Sequence, residues 1–504
     1  RAGRILFAGW GRGVGLAEAV ATLVRQAQAG LAAGGRSMPD AALLTLPGPA
    51  QPLGPLDLSR ARSDAFRGLF GLELRAGHRR ARLTPLEVLA QNLRPASALD
   101  RLARDLGLPS PEGATALAFP ARSVLIELPA GRGLALYRGQ RIVPQAALTR
   151  ARLTDLRDGM ADWLVRAVAA DGACAYKYWP SRGSWSTANN SIRQFMASAA
   201  LARLAGRSHP GAAGAAARNF AHNFKTFYRE DGDLGLILEG PKVKLGAAAV
   251  ALIAILDLPD PAPFARQRDR LAAFILSMQR PDGSFATFLR PEGRDDCQNF
   301  YPGEAMLALM RLHAVTGRAD ALAAVARAYP HYRDFHLARP NPAFVPWQAQ
   351  ALLRLSQVTG DPAPRAFARQ ITRWLIGLQQ GADQPADVQG GYFAPDRPDF
   401  GPPHASAIGV YMEGIVEVFA DARATGDPAL AETCRISLLR AARALRQLQF
   451  RHGDDMFSIH HRSRVRGAIR TAVHDNTIRV DNVQHGLMAL LRMDETFTDA
   501  DFTM

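Results

Sequence analysis

From Thr154 to the C-terminus two hydrophobic patterns alternate. The first sets apolar residues at helical spacing among charged ones, as in TDLRDGMADWLVRAVAA (154–170) and RAFARQITRWLIGLQQ (365–380). It returns at 214–228, 263–279, 320–335 and 434–450, and it predicts amphipathic helices with one face in solvent. The second is apolar at nearly every position and rich in small residues, as in KVKLGAAAVALIAIL (242–256) and YPGEAMLALMRLHAV (301–315). It recurs at 189–205, 346–358, 404–419 and 481–493. A helix that is apolar all round has to be surrounded by protein. Strict alternation of six helices of each kind, at a repeat of about 55 residues, predicts an (α/α)6 toroid, an inner ring of helices inside an outer ring. A superhelical solenoid of helical hairpins is the alternative.

Residues 1–150 read as a smaller mixed α/β N-terminal domain of unknown role, and 151–504 as the toroid. The fold class is therefore mainly α with a mixed leading domain. RILFAGW (4–10) has strand character, and RSVLIELPAGRGLALYRGQRIV (122–143) reads as a hairpin around Gly131 to Gly133. LTPLEVLAQNL (83–93) and SALDRLARDLGL (97–108) read as helices. The Pro-rich stretch 38–58 reads as a loop. GWGRGVG (9–15) fits a dinucleotide glycine motif poorly and reads as a turn.

Composition narrows the function classes. The chain has 504 residues, enough for more than one domain, with 48% hydrophobic and 21% charged residues, as in ordinary globular proteins. No apolar run approaches the ~20 residues of a membrane span. The net charge of +15 admits a nucleic acid, an anionic membrane surface or an acidic polymer as partner. No nucleic-acid-binding motif occurs and Arg is spread over many helices, which leaves an anionic saccharide or other acidic polymer as the expected partner. The cysteines Cys174, Cys297 and Cys434 stand far apart, so no disulfide framework is expected. The chain opens at Arg1 without a secretory signal, which gives a cytoplasmic expectation, or a periplasmic one if a segment precedes it. The oligomeric state has no signature.

Candidate chemistry collects at the leading ends of the inner segments. These carry Asn189, Asn190 and Arg193; Lys242 and Lys244; Tyr301 and Glu304; Trp347 and Gln348; His404, Tyr411 and Glu413; Asp481 and His485, with Asn482 beside them. Capping accounts for Asn and Asp at such places, because they satisfy orphan amides. In a ring of parallel inner helices, however, all six ends meet at one mouth, where exposed N–H groups favour anions. The segments leading into these helices are turn-rich and carry aromatic residues such as Trp179, Trp185, Tyr392 and Phe393. These either stack on sugar rings or pack the loops onto the ring.

QRPDGSF with YPGEAMLALMRLHAVTG, NNSIRQFMASAALARL and IRVDNVQHGLMALL resemble the α/α-toroid proteins related to glucuronyl C5-epimerases. More broadly they are similar to six-hairpin carbohydrate-active toroids, which include uronate lyases, unsaturated-glucuronyl hydrolases and sugar 2-epimerases. The resemblance spans 154–504 and implies the fold and a glycan ligand more strongly than a reaction. Epimerisation or β-elimination at a uronate removes a weakly acidic proton beside a carboxylate, which needs cations on that carboxylate and a base. Arg193, Lys242 and Lys244 are the candidate neutralisers. Tyr301, Tyr411, His404 and His485 are the candidate proton carriers, and Asp481, four residues before His485, is placed to orient it. Asn189, Asn190, Trp179, Trp347, Gln348 and Glu413 are candidate substrate contacts. Glycoside hydrolysis needs instead a carboxyl pair, for which Asp231, Asp233, Asp296, Glu304, Glu413 and Asp481 are available. A third possibility is a non-catalytic toroid that grips an acidic polymer or partner during assembly of an envelope polymer. Cys297, His485, His460 and His461 lack the spacing of a metal site, so neither a metal nor a cofactor is expected.

Overall fold

A computed structural model describes residues 6–35, 39–53, 67–393 and 403–502. Residues 6–15 are irregular and lead into helix α1 (Leu16–Ala33), which the sequence reading did not anticipate; the strand expected at 4–10 does not form over its described part, 6–10. Six strands then build one antiparallel sheet: β1 (Ala41–Pro47), β2 (Gln51–Pro52), β3 (Phe70–Ala76), β4 (Arg79–Leu83), β5 (Thr115–Glu127) and β6 (Arg132–Leu136). Strand β5 runs through its middle. One half pairs with β2 and β3, the other with β1 and β6. Leu117, Phe119, Ser123 and Leu125 alternate inward along β5, the period of a strand with one buried face. The expected hairpin is β5–β6. The expected loop at 38–58 is corrected in part, because Ala41–Pro47 pairs along its whole length with β5; residues 54–66 lie outside the described residues. Helices α2 (Pro85–Ala90) and α3 (Pro95–Asp105) form where predicted, and α2 starts on a Thr84–Glu87 capping box.

The toroid follows. Its outer helices are α4 (Arg150–Arg166), α6 (Ala212–Phe227), α8 (Ala265–Ser277), α10 (Ala319–Ala338), α12 (Pro362–Ile376) and α14 (Pro428–Leu448). Its inner helices are α5 (Ser191–Gly206), α7 (Leu245–Leu256), α9 (Tyr301–Thr316), α11 (Val345–Thr359), α13 (Ala405–Ala424) and, after the short α15 (Arg462–Val465), α16 (Val480–Thr496). Each inner helix packs on the next and α16 packs on α5, so the ring closes and the solenoid alternative fails. The burial explains the pattern: every residue from Leu245 to Ile255 of α7 is buried, whereas α12 buries only Pro364, Phe367, Ala368, Ile371, Thr372 and Leu375.

The turn-rich connections become two small sheets at the leading ends of the inner helices. One is β9 (Tyr228–Asp231), β10 (Leu234–Glu239), β11 (Lys242–Lys244) and β12 (Phe288–Arg290). The other joins β7 (Lys177–Trp179) and β8 (Ser184–Trp185), near the start of the toroid, to β13 (Arg470–Ala472) and β14 (Asp475–Arg479), near its end. Ile478 pairs with Tyr178 and Arg479 with Lys177, which stitches the ring shut at its seam. At the opposite ends of the inner helices, arginines occupy the C-terminal halves. Arg203 and Arg311 hold Asp257, and Arg354 and Arg492 hold Glu417. Cations there complement the helix dipoles.

The N-terminal region is fastened to the rim. Arg138 and Asp387 form an ion pair at 2.7 Å with both side chains at most 3% exposed. Asn92 Nδ2 donates to Asp475 at 2.8 Å, and the Val143 amide donates to Gln447 at 2.9 Å.

Close inner packing makes a prediction of opposite signs. A Cβ on Gly409 of α13 would overlap the backbone nitrogen of Gly486 in α16, while one on Gly206 at the end of α5 meets nothing. Gly409→Ala should destabilise by more than about 1 kcal/mol, and Gly206→Ala should be neutral or stabilising by up to about 1 kcal/mol. Thermal and denaturant unfolding of the two variants reads the contrast.

Candidate functional site

The mouth is built from the first turns of the inner helices. Asn190 caps α5, its Oδ1 accepting the Arg193 amide at 3.2 Å, and Asn189 Oδ1 accepts from Gln194 at 2.8 Å. Both asparagines are thus helix-end fasteners here. Arg193 reaches across the seam and donates to Asp481 at 3.2 Å. Arg479, at the end of β14, grips the same carboxylate through Oδ1 at 2.9 Å and a second contact to Oδ2. Burial works to raise the Asp481 pKa, but Arg193 and Arg479 outweigh it and hold the group below its usual value. Two guanidinium groups on one carboxylate leave the cluster with a net positive charge.

Glu304 stands in the first turn of α9 under the opposite balance. It is 5% exposed, and its Oε2 has no hydrogen-bond partner in the protein. Burial pushes its pKa up to about 8 against the weaker pull of Arg193. Its carboxyl is therefore largely protonated at neutral pH. The pocket is narrow: a Cβ on Gly246 of α7 would overlap both Glu304 Oε2 and the Tyr301 ring. Tyr301 packs on Phe288 at 5.8 Å between ring centres; burial, then the nearby Cys297 and Glu304, raise its pKa. Its phenol keeps its proton near neutrality.

His485 contradicts one expectation. Its Nδ1 bonds Glu413 Oε1 at 2.8 Å, not Asp481, which the two arginines have claimed. Glu413 thus orients the imidazole through Nδ1. The ring sits edge-on to Trp347, 6.1 Å between centres. His404 is the N-cap of α13; its Nδ1 accepts from Ser406 and from the Ala407 amide, which places the remaining proton on Nε2. Burial, then Arg479, lower its pKa to about 4, with Asp481 opposing. A neutral His404 with Nε2–H can donate but cannot accept a proton near neutral pH.

Other expectations change. Lys244 is committed to Glu239 at 2.7 Å, and Glu239 also accepts from the Ser191 amide and hydroxyl, so Lys244 positions the β10–β11 hairpin and is no free neutraliser. Lys242 is exposed on β11, outside the Arg193 cluster. Tyr411 is buried edge-on against Tyr392 at 5.3 Å, and Tyr392 bonds Ser437, so both pack the protein. Gln348 is buried with neither amide atom hydrogen-bonded, one position after Trp347, and Gln484 of α16 is orphaned in the same way. Orphaned buried amides cost about 1–3 kcal/mol each. Trp179 lies on the rim, beside β8.

Sequence reasoning missed Arg479. It precedes an inner helix by one residue but belongs to a strand inside a turn-rich segment. Its signal was the spacing Arg-Val-Asp, which sets its guanidinium back on Asp481.

No family model matches the chain, and no curated protein matches it in sequence. Solved structures do. The D-mannose isomerase structure superposes with a TM-score of 0.51 at 12% identity, over 69% of this chain and 98% of that one. An unsaturated glucuronyl hydrolase specific for heparin gives 0.50 at 12%, over 68% and 97%. A family 76 glycoside hydrolase from a bovine Bacteroides thetaiotaomicron strain gives 0.50 at 11%, over 84% and 93%.

The raised Glu304 pKa predicts a pH-dependent stability. Its folded-state pKa exceeds the ordinary value of 4.5, so the folded protein holds a proton that the unfolded chain releases, and its stabilising effect is lost as pH rises from about 4.5 to about 8. Glu304→Gln should gain stability relative to the parent across that window, by at most about 1.4 kcal/mol per pH unit, and run parallel to it outside. Urea unfolding from pH 4 to 9 measures the slope. These comparisons leave the chain with the (α/α)6 toroid fold it shares with enzymes of several reactions.

Proposed function

We propose that the protein is a carbohydrate-active enzyme that moves a proton at the carbon beside a sugar carboxylate, as an epimerase or lyase on an anionic glycan. The observation that carries this reading is Glu304, a carboxyl kept protonated near neutral pH at the mouth where Arg193 and Arg479 present net positive charge. In the proposed reaction the arginine cluster receives the substrate carboxylate and makes the adjacent C–H more acidic. His485, oriented by Glu413, takes that proton on Nε2. Glu304 supplies a proton: to the opposite face of the carbanion in epimerisation, or to the leaving oxygen in elimination. Helices α9 and α16 stand three places apart in a ring of six, so acid and base lie on opposing walls. The hydroxyls of a sugar would satisfy the orphaned Gln348 and Gln484 amides. The fold relatives named above are an isomerase and two hydrolases, all with sugar-related names, which supports a saccharide ligand without choosing the reaction.

The test is incubation with a panel of uronic-acid polymers in D₂O. Deuterium at C5 without chain cleavage identifies an epimerase, and unsaturated uronate ends identify a lyase. New reducing ends without either product, or tight binding with no turnover at all, would sink the proposal. Glu304→Gln and His485→Gln should each lower kcat by about 100-fold or more with little change in KM. The rate should fall as pH passes about 8, where Glu304 loses its proton.

A further inference from the structure

A cleft of about 380 Å³ lies between the N-terminal region and the rim of the toroid. That is within the roughly 300–1,000 Å³ of small-ligand pockets. One wall carries Gln91 and Arg94, from the connection between α2 and α3; the other carries Lys177, Trp179 and Arg182 of the first rim hairpin; Arg479 lines it as well. Arg94, Lys177 and Arg182 make no ion pair among the described residues, unlike most arginines of the inner ring. Two of these cations flank one aromatic plane: Arg182 lies 5.7 Å and Lys177 5.9 Å from the centre of the Trp179 ring. Among the described residues Asp475 is the only carboxylate lining the cleft, and it is engaged by Asn92 Nδ2 and the Thr477 amide, both at 2.8 Å. Like charges held this close around an aromatic ring repel one another unless an anion joins them.

We propose that this cleft is a second subsite for the same class of ligand, gripping an anionic sugar one or more residues away from the one at Glu304, with the N-terminal region supplying part of the grip through Arg94. The sugar's C–H face lies on Trp179, and its carboxylate or sulfate meets Arg94, Lys177 and Arg182. Arg479 joins the two places, since it lines the cleft and holds Asp481. The N-terminal region is then part of the binding groove and selects for charged polymer, while catalysis stays with the inner ring. This inference rests on the proposal that the ligand is an anionic glycan.

The experiment measures binding by calorimetry in the Glu304→Gln background, which prevents turnover. The probes are oligogalacturonate, a heparin-derived tetrasaccharide and neutral xylotetraose. The anionic probes should bind at least tenfold tighter than xylotetraose, and their affinity should fall as salt rises. Arg94→Glu and Arg182→Glu should each weaken them about fivefold or more without moving the xylotetraose affinity or the unfolding temperature. Preference for one anionic probe distinguishes carboxylate from sulfate recognition. Equal affinity for neutral and anionic probes, or charge reversals that leave binding unchanged, would overturn the subsite. Those results are independent of the catalytic reading, which stands or falls on the loss of activity in Glu304→Gln itself.

Discussion

The Arg193–Asp481 ion pair lies at the seam where the last inner helix meets the first. Everything at the mouth depends on that closure. An open solenoid would leave Asp481 without Arg193 and would spread the inner helix ends along a groove. In the closed ring the same pair that helps seal the wall also fixes the charge of the hollow. Asp481 draws Arg479 in from the rim, and the field of Arg193 reaches Glu304 two inner helices away. Closure is reinforced above by β14 on β7, so the seam is held by backbone as well as by charge.

The division of carboxyl groups follows from which arginines each one meets. Asp481, 1% exposed, is at least as buried as Glu304, 5% exposed. Burial raises both pKa values. Asp481 ends low because two guanidinium groups touch it; Glu304 ends high because Arg193 acts on it only at a distance and nothing donates to Oε2. Removing the ionised partner of a buried pair is costly, whereas a neutral carboxyl in an apolar pocket is tolerated. Two acids within the field of Arg193 therefore acquire different protonation states from their neighbours alone.

Much of the fold was legible because it is repetitive. The contrast between KLGAAAVALIAIL and RAFARQITRWLIGLQQ reports burial directly, and the two toroidal rings are that contrast folded up. The place of Glu304 was legible too: it stands in the first turn of an inner helix, and the fold buries it there. Pairings across the seam were not. Asp481 and His485 share a helix face by spacing, yet neither bonds the other, because stronger partners arrive from α5, β14 and α13. Lys244 read as free because its partner, Glu239, comes from the preceding strand only once the hairpin folds. The N-terminal strand Ala41–Pro47 was hidden by flanking prolines; it exists because β5 offers it a pairing edge.

The large positive charge acquires a meaning only when it is sorted by partner. Inside the ring most arginines are spent: Arg203, Arg311, Arg354 and Arg492 sit on Asp257 and Glu417 at the helix C-termini, where they offset both carboxylates and dipoles. Those charges cannot attract a ligand, since each already faces a counter-ion. Three of the cations with no ion pair among the described residues lie at the other end, Lys177 and Arg182 beside Trp179 and Arg94 across the cleft from them. Under the proposed function, an anionic glycan would meet these cations and not the arginines already paired at the helix C-termini.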